Sequence, residues 1–343
     1  MLTWLRELYH SRKRSFDESN VKQALFPKGA KVIPNPVGTA AGFSARSHSK
    51  GVRSREGSLS GESSSGATIY CLPGVPRELK EMLSGSVIPE ILAAHAGFTP
   101  LVTKGLRSFG LPESVVGSLV KQLNLPSEIQ VSFLASFPEI KVTLTAPYDP
   151  SGYLDQIEVV LGKDRVFSRE INTSLEMVTH DLLLKSGKSL SLAESCTGGM
   201  VSQLLTDNAG SSGYLLGSVV CYSNQSKEQQ VGVRAETLAK HGAVSHQVVR
   251  ELAAGVRERF QSSLGVSISG VAGPSGGSEL KPVGTFFVGL ASGNSINSYG
   301  FFLSQSRPLI RRFSAYKALD IIRRELLGLS APSDALPESL PEI

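Results

Sequence analysis

Two kinds of hydrophobic pattern run along the chain, and the points where one replaces the other divide it. Short alternating runs bounded by Gly, Pro and Ser predict strands at 101–108, 131–133 and 140–145. Between the first two, a helix opens at Pro112-Glu113-Ser114 and carries Val115, Val116, Leu119 and Leu123 at helical spacing. A further helix completes 97–168 as a small α+β module. From Asn172 the pattern is strongly α/β. Leu175, Val178, Leu182 and Leu183 mark a helix, 189–193 a strand, 198–206 a helix and 217–222 a strand. Val249, Leu252, Val256 and Phe260 define a long helix that Ser245 is placed to cap. Strands follow at 265–269, 282–291 and 298–303, and a last helix lines up Leu309, Phe313, Tyr316, Leu319, Ile322 and Leu326 on one face.

The N-terminal part, 16–96, reads as a partial α/β domain with a strand and turn at 31–42, a strand at 68–72 and a helix over 77–92. Its middle, 44–67, is dominated by Ser and Gly with almost no apolar residue, so ordering it brings no compensating burial, and it is expected to be a flexible insertion. The Pro-, Ser- and Glu-rich stretch 330–343 is expected to be a loose tail.

Composition narrows the class. A chain of 343 residues, 41% hydrophobic and 19% charged, fits a multidomain α/β protein and excludes coiled-coil, collagenous and wholly disordered classes. No apolar run approaches the roughly 20 residues a membrane span needs. Arg6, Glu7 and His10 interrupt what a secretory signal would require to be apolar, so a cytoplasmic protein is expected. The net charge of +5 is thin over this length, and the basic clusters at 12–14, 311–312 and 323–324 lack interleaved aromatics. That points away from nucleic acid and suits a small phosphate-bearing molecule. Three scattered cysteines and six dispersed histidines offer neither a disulfide framework nor metal-ligand spacing, so no metal and no cofactor is expected.

Two Gly-rich loops each follow a predicted strand: Ala193 to Gly199 (AESCTGG) and Ser269 to Gly277 (SGVAGPSGG). Glycine lets backbone approach a ligand, and free N–H groups at a helix start favour an anion. Either loop alone is more often a tight connection; two in one domain strengthen the functional reading. Between them lie Gly210-Ser211-Ser212-Gly213-Tyr214 and the run from Cys221 to Lys227. No Ser, His and acid arrangement is present, but a lysine whose amine is neutralised by burial can serve as base. Tyr222 and Lys227 could turn toward Ser212. The bland alternative makes Tyr222 core, Lys227 a solvated helix residue and Ser212 a helix cap, and spacing alone favours it. Cys196, at a predicted helix start, is the rival nucleophile.

The segments LAESCTGGM at 192–200, GSSGY at 210–214, VVCYSN with Lys227, KHGAVS at 240–245, SGVAGPSGG and KPVGT from Lys281 together resemble the C-terminal domain of the CinA family. The resemblance spans about 170–328. It implies an α/β/α sandwich-like domain at 170–329 that hydrolyses the carboxamide of nicotinamide mononucleotide to nicotinic acid mononucleotide and ammonia. Carried over residue by residue, it places the nucleophile at Ser212 with Tyr222 and Lys227 activating it. Substrate contacts fall to Ser195, Thr197, Gly198, Gly199, Asn224, Ser269 (usually Thr in the family), Gly270 and Gly273, with Arg311 or Arg312 for the phosphate. Upstream, NVKQALFPKGAKVIPNPVGTAAGF and LPGVPRELKEML resemble the second half of the family's N-terminal, molybdopterin-binding-like domain, whose first half is absent, and LRSFGLPES resembles the start of its middle domain. The family habit implies a homodimer. The alternative reading is a non-catalytic nucleotide-binding or scaffold protein linked to competence or DNA repair; a third is a remnant nucleotide pyrophosphatase.

Overall fold

The computed structural model describes residues 2–11, 13, 15–46, 67–95, 97 and 99–336; most of the expected insertion (47–66) and the end of the tail (337–343) lie outside the described residues. The chain divides into two compact units, Met1–Thr99 and Pro100–Ile343.

In the first unit, α1 (Leu2–Ser11) precedes strands β1 (Lys31–Ile33), β2 (Gly42–Arg46) and β3 (Thr68–Cys71), which form an antiparallel sheet in that order. Ser44, Ala45 and Arg46, which composition assigns to the insertion, are instead strand residues facing Tyr70, Ile69 and Thr68. The helix expected over 77–92 is α2 (Pro76–Met82), a π-helical turn (Leu83–Val87) and α3 (Ile88–Ala94). Pro89 offers no N–H to the preceding turn, and the wider turn keeps Met82 and Val87, five apart, both buried with Ile33.

The second unit begins with β4 (Val102–Phe109), α4 (Glu113–Lys121), β5 (Gln130–Ser136), β6 (Glu139–Ala146), α5 (Ser151–Leu161) and β7 (Val166–Ser168). Its antiparallel sheet has the order β5-β6-β4-β7, the split βαβ arrangement, with Leu106, Val142 and Leu144 buried against Val116 and Val120 of α4 and Leu154, Ile157 and Leu161 of α5.

There follow α6 (Leu175–Ser186), β8 (Leu190–Glu194), α7 (Met200–Thr206), β9 (Leu215–Val220), α8 (Asn224–Val231), α9 (Ala235–His241), α10 (His246–Phe260), β10 (Leu264–Gly270), β11 (Thr285–Ser292), β12 (Ser295–Phe302) and α11 (Arg307–Leu327). The sheet order is β12-β11-β10-β8-β9, with β9, β8 and β10 mutually parallel, so all three end at one edge. Leu190, Leu192, Val266 and Ile268 face α6, α7 and α11. The other face of the same strands is made of small residues because α10 lies very close: Ser267 Oγ donates to Val249 O at 2.5 Å, and a Cβ on Gly265 or Gly289 would fall 2.1 or 2.2 Å from α10 carbonyls. Ser245 caps α10 as expected, accepting from the Val248 N–H.

The two sheets of this unit share a joint. Glu139 of β6 pairs with Arg107 and accepts the Leu175 N–H at the start of α6. Asp320 of α11 is buried between Arg323 and Arg324, at 2.6 and 2.8 Å, and those arginines reach the Asp164 carbonyl and carboxylate. The described part of the tail, 330–336, is docked rather than loose. Ser333 accepts from Arg165, Leu336 donates to Gly300 O, and Asp334 pairs at 2.5 Å with Lys317, an amine buried among the rings of Phe109, Phe301 and Phe313. A short stretch of Ser, Pro and Ala conceals such anchoring, because the partners lie far away in sequence.

Removing one member of a buried ion cluster leaves its partners charged and unpaired, at a cost of about 3–5 kcal/mol. Asp320→Asn is therefore expected to lower the denaturant midpoint of the second unit by an amount corresponding to that range, whereas Asp155→Asn, at an exposed pair with Arg169, is expected to leave it nearly unchanged. Urea unfolding followed by circular dichroism measures both.

Candidate functional site at the edge of the parallel strands

Because β8, β9 and β10 are parallel, whatever follows each of them emerges at the same edge. After β8 comes Ser195, after β9 come Cys221 and Tyr222, and after β10 the Gly-rich loop. Side chains alternate along β8: Leu190 and Leu192 belong to the core under α6, α7 and α11, Ala193 to the core under α8 and α10. The same alternation sends Glu194 to the α7 side and Ser195 to the α8 side.

Glu194 is fully buried, and its carboxylate accepts the N–H groups of Gly199, Val201 and Ser202 and the Ser202 hydroxyl, at 2.7 to 3.1 Å. The N-terminus of α7 is thus occupied by an internal anion. The turn before it requires left-handed backbone at both Gly198 and Gly199, with φ of 61° and 93°. Of the Thr197 to Gly199 segment expected at a phosphate, the Gly198 and Gly199 amides instead serve the turn, donating to Ser195 O and to Glu194, and Thr197 is buried with an unpaired Oγ1.

On the other side, Lys227 sits on the first turns of α8, only 1% exposed. Its Nζ lies 2.9 Å from Cys221 O, 3.0 Å from Tyr222 O and 3.2 Å from Ser195 Oγ. Burial pushes this amine below its ordinary range, with the neighbouring thiols opposing. A neutral amine has two protons and one lone pair. In the neutral form, which burial favours, the two carbonyls hold its protons and the lone pair faces the serine hydroxyl; in the charged form all three oxygens accept from it.

Ser212 is not at this place. It belongs to a single 3-10 turn, Ser211–Gly213, ahead of β9, and is exposed. Lys227 comes after β9, whose six residues keep the two ends roughly 17 Å apart at about 3.3 Å per residue. The structure thus brings Lys227 to Ser195, which the sequence reading made a substrate contact, and not to Ser212. Cys196 is buried in the core and burial pushes its thiol up to about 12, so it carries no thiolate near neutral pH.

The remaining expected contacts separate. Tyr222 is 62% exposed; its carbonyl holds Lys227 while its hydroxyl lies 3.4 Å from Arg307 Nη2. Asn224 is the exposed first residue of α8. Ser269 donates to Ala243 O at 2.7 Å, a packing bond at the mouth of α10. Gly270 is small because Phe286 lies 2.5 Å from where a Cβ would be, and Gly273 because Val283 does. Arg311 is at the site but committed to the loop, donating to Cys196 O at 3.0 Å and Thr197 O at 2.7 Å. Arg312, one residue round the helix, stacks on Tyr316 and points elsewhere. Glu194 and Arg307 went unnoticed in the sequence, although an acid closing an apolar strand just ahead of a Gly-Gly turn is a legible capping signal.

Among the described residues no group of His, Cys, Asp and Glu is arranged to hold a metal ion, and no helix is long and apolar enough to cross a membrane.

With this geometry in hand, comparison with known proteins is specific. The family model for the CinA C-terminal domain matches residues 172–326. A CinA-like protein of Shewanella sp. (strain W3-18-1) is 38% identical over 330 residues, 94% of this chain and 73% of its own length, and one from Shewanella loihica is 37% identical over 327 residues, again 94% and 73%. Among solved structures, a competence/damage inducible protein from Agrobacterium tumefaciens is 34% identical, covering 45% of this chain and 93% of its own, with a TM-score of 0.43. The similarity to the Shewanella proteins runs through both units, and the chain belongs to the CinA family.

Proposed function

We propose that the chain is a serine–lysine amidohydrolase acting on the carboxamide of nicotinamide mononucleotide, with Ser195 as nucleophile and Lys227 as its base. The observation that carries this reading is the buried Lys227 amine 3.2 Å from the Ser195 hydroxyl, its protons engaged by two carbonyls. The substrate rests on the family resemblance, which the motif residues 193–199, 221–227 and 269–277 support.

In this reading Lys227 accepts the Ser195 proton as Oγ attacks the carboxamide carbon. The negative charge that develops on the carboxamide oxygen meets the N–H groups of Cys196 and Thr197, which have no backbone acceptor among the described residues. The Lys227 proton passes to the departing nitrogen, ammonia leaves, and a water deprotonated by Lys227 releases the acid from the ester. Tyr222 supplies a carbonyl to the base and an aromatic wall to the mouth. The scaffold reading is separated from this one by a single assay, since a scaffold releases no ammonia from the mononucleotide.

Ser195→Ala and Lys227→Met are each expected to reduce ammonia release by several powers of ten, and the double variant by little more, because the pair acts as a unit. Ser212→Ala is expected to retain near-normal turnover. Loss of activity in Ser212→Ala with retention in Ser195→Ala would refute the assignment.

The burial of Lys227 also fixes two pH dependences. The rate constant kcat/KM is expected to rise with pH as the amine, its pKa lowered by burial, loses its proton. For stability the sign is set by proton uptake: the unfolded lysine keeps its proton to higher pH than the folded one, so burial costs most at low pH and nothing above the unfolded pKa. Lys227→Met, which removes the ionisable group, is therefore expected to unfold at a higher temperature than the parent at pH 6, with the gap narrowing toward pH 10; calorimetry at the two pH values checks it.

A further inference from the structure

Arg311 reaches the turn that carries Ser195 from the face of the sheet opposite Lys227, since α11 packs with α6 and α7 over one face and α8 with α10 over the other. Its guanidinium meets two successive carbonyls: Nε donates to Cys196 O at 3.0 Å and Nη2 to Thr197 O at 2.7 Å. Nη2 also lies 3.3 Å from where a Cβ on Gly198 would be, so the guanidinium seats against the bare residue of the turn. Two donors on one planar, rigid group fix a direction as well as a distance, which a lysine ammonium cannot do.

A trans peptide is planar, and its C=O and N–H point opposite ways. Drawing Cys196 O toward α11 therefore turns the Thr197 N–H away from α11, to the side on which Lys227 meets Ser195 Oγ. Drawing Thr197 O the same way orients the next N–H, that of Gly198, which closes the turn on Ser195 O at 3.2 Å. The Gly198 and Gly199 amides are thus engaged, while those of Cys196 and Thr197 have no backbone acceptor among the described residues. The clamp acts on strength too. A carbonyl that accepts from a cation polarises its own peptide, and the N–H of that peptide becomes a better donor. We infer that Arg311 is a positioning residue for the oxyanion: it aims and polarises the Thr197 N–H at the oxygen that becomes negative when Ser195 attacks, and it touches no part of the substrate. The inference rests on the amidohydrolase reading above and deepens it, and it replaces the phosphate contact expected of Arg311.

The test uses the full chain and its Arg311→Gln and Arg311→Lys variants, each checked for folding by circular dichroism. For nicotinamide mononucleotide, kcat is expected to fall roughly 10- to 100-fold in Arg311→Gln, part of the cost of losing an oxyanion donor outright. The dissociation constant of the mononucleotide, titrated in the Ser195→Ala background with and without Arg311→Gln, is expected to stay nearly the same. Arg311→Lys, which keeps the charge and reaches one carbonyl, is expected to fall between parent and Arg311→Gln, and carries the test alone if the glutamine chain does not fold. The pH dependence of kcat/KM, set by Lys227, is expected not to move. Pyridine-3-boronic acid reads the oxyanion site without turnover: Ser195 Oγ bonds to boron, the hydroxyl proton passes to Lys227, and a tetrahedral anion results, whose affinity is expected to fall in step with kcat. Weakened mononucleotide binding that accounts for the lost activity would make Arg311 a substrate contact and overturn the proposal. A displaced pH profile would make it a cation acting on Lys227, and would overturn it as well. If the parent chain releases no ammonia, the amidohydrolase reading falls, and the boronate still decides this one: a Ser195-dependent adduct weakened by Arg311→Gln sustains it, and an unchanged affinity refutes it.

Discussion

Lys227 is tolerable inside this protein only because the end of β9 turns two carbonyls toward it. An isolated ammonium in such a place would carry a desolvation cost that no single contact repays, and the fold answers by favouring the neutral amine. Much of the arrangement at this edge follows from that requirement. The strand must end where Cys221 O and Tyr222 O can reach Nζ, the helix α8 must begin at once so that Lys227 comes back over them, and Ser195 must be the polar group that remains. The same constraint makes the site an expense to stability, of the kind that persists when function uses it.

Around this point the second unit supplies rigidity by close approach. Under α10 the strands β8 and β10 present Ser, Ala and Gly, so helix backbone lies against strand backbone and little can shift. On the opposite face α11 packs on β10 and β11 beside α6 and α7. Its first turns carry Arg307 and Arg311 to the loops beside Ser195, and its later turns carry Lys317, Asp320, Arg323 and Arg324 into the joint with the α+β module. One helix thus links the positioning of the serine loop to a joint built around Asp164, Phe109 and Asp334.

Much of this was legible from spacing. Apolar periodicity placed β4, β6, β8, β10, α10 and α11 within a few residues, since those elements are buried on defined faces. The site was legible in its pieces and not in its pairing. Lys227 lies in NQSKEQQV, polar up to its last residue, Val231, and nothing in that helix announces a buried amine. Ser212, in a Gly-Ser-Ser-Gly turn, has the look of an exposed nucleophile, but it precedes its strand, whereas parallel strands gather the residues that follow them. By that rule Ser195, which follows the strand at 189–193, is favoured over Ser212, which precedes the strand at 217–222. Ser269 and Gly270 misled for a related reason: small residues beside a Gly-rich loop serve a close helix as readily as a ligand. The docking of 330–336 was illegible because each anchor, Arg165, Gly300 and Lys317, is distant in sequence.

The carboxylate of Glu194 has one more effect. Gly-rich turns that lead into helices commonly wait for a phosphate to organise them, and then part of the ligand's binding energy goes into ordering the loop. Here the anion is a side chain of the preceding strand, permanently tethered at the spot. The turn bearing Ser195 is consequently held in shape from within, with the amides of Gly198, Gly199, Val201 and Ser202 engaged. In the reading proposed above, substrate meets Ser195 on a turn already in place, and whatever closure accompanies binding is left to the outer rim of the mouth.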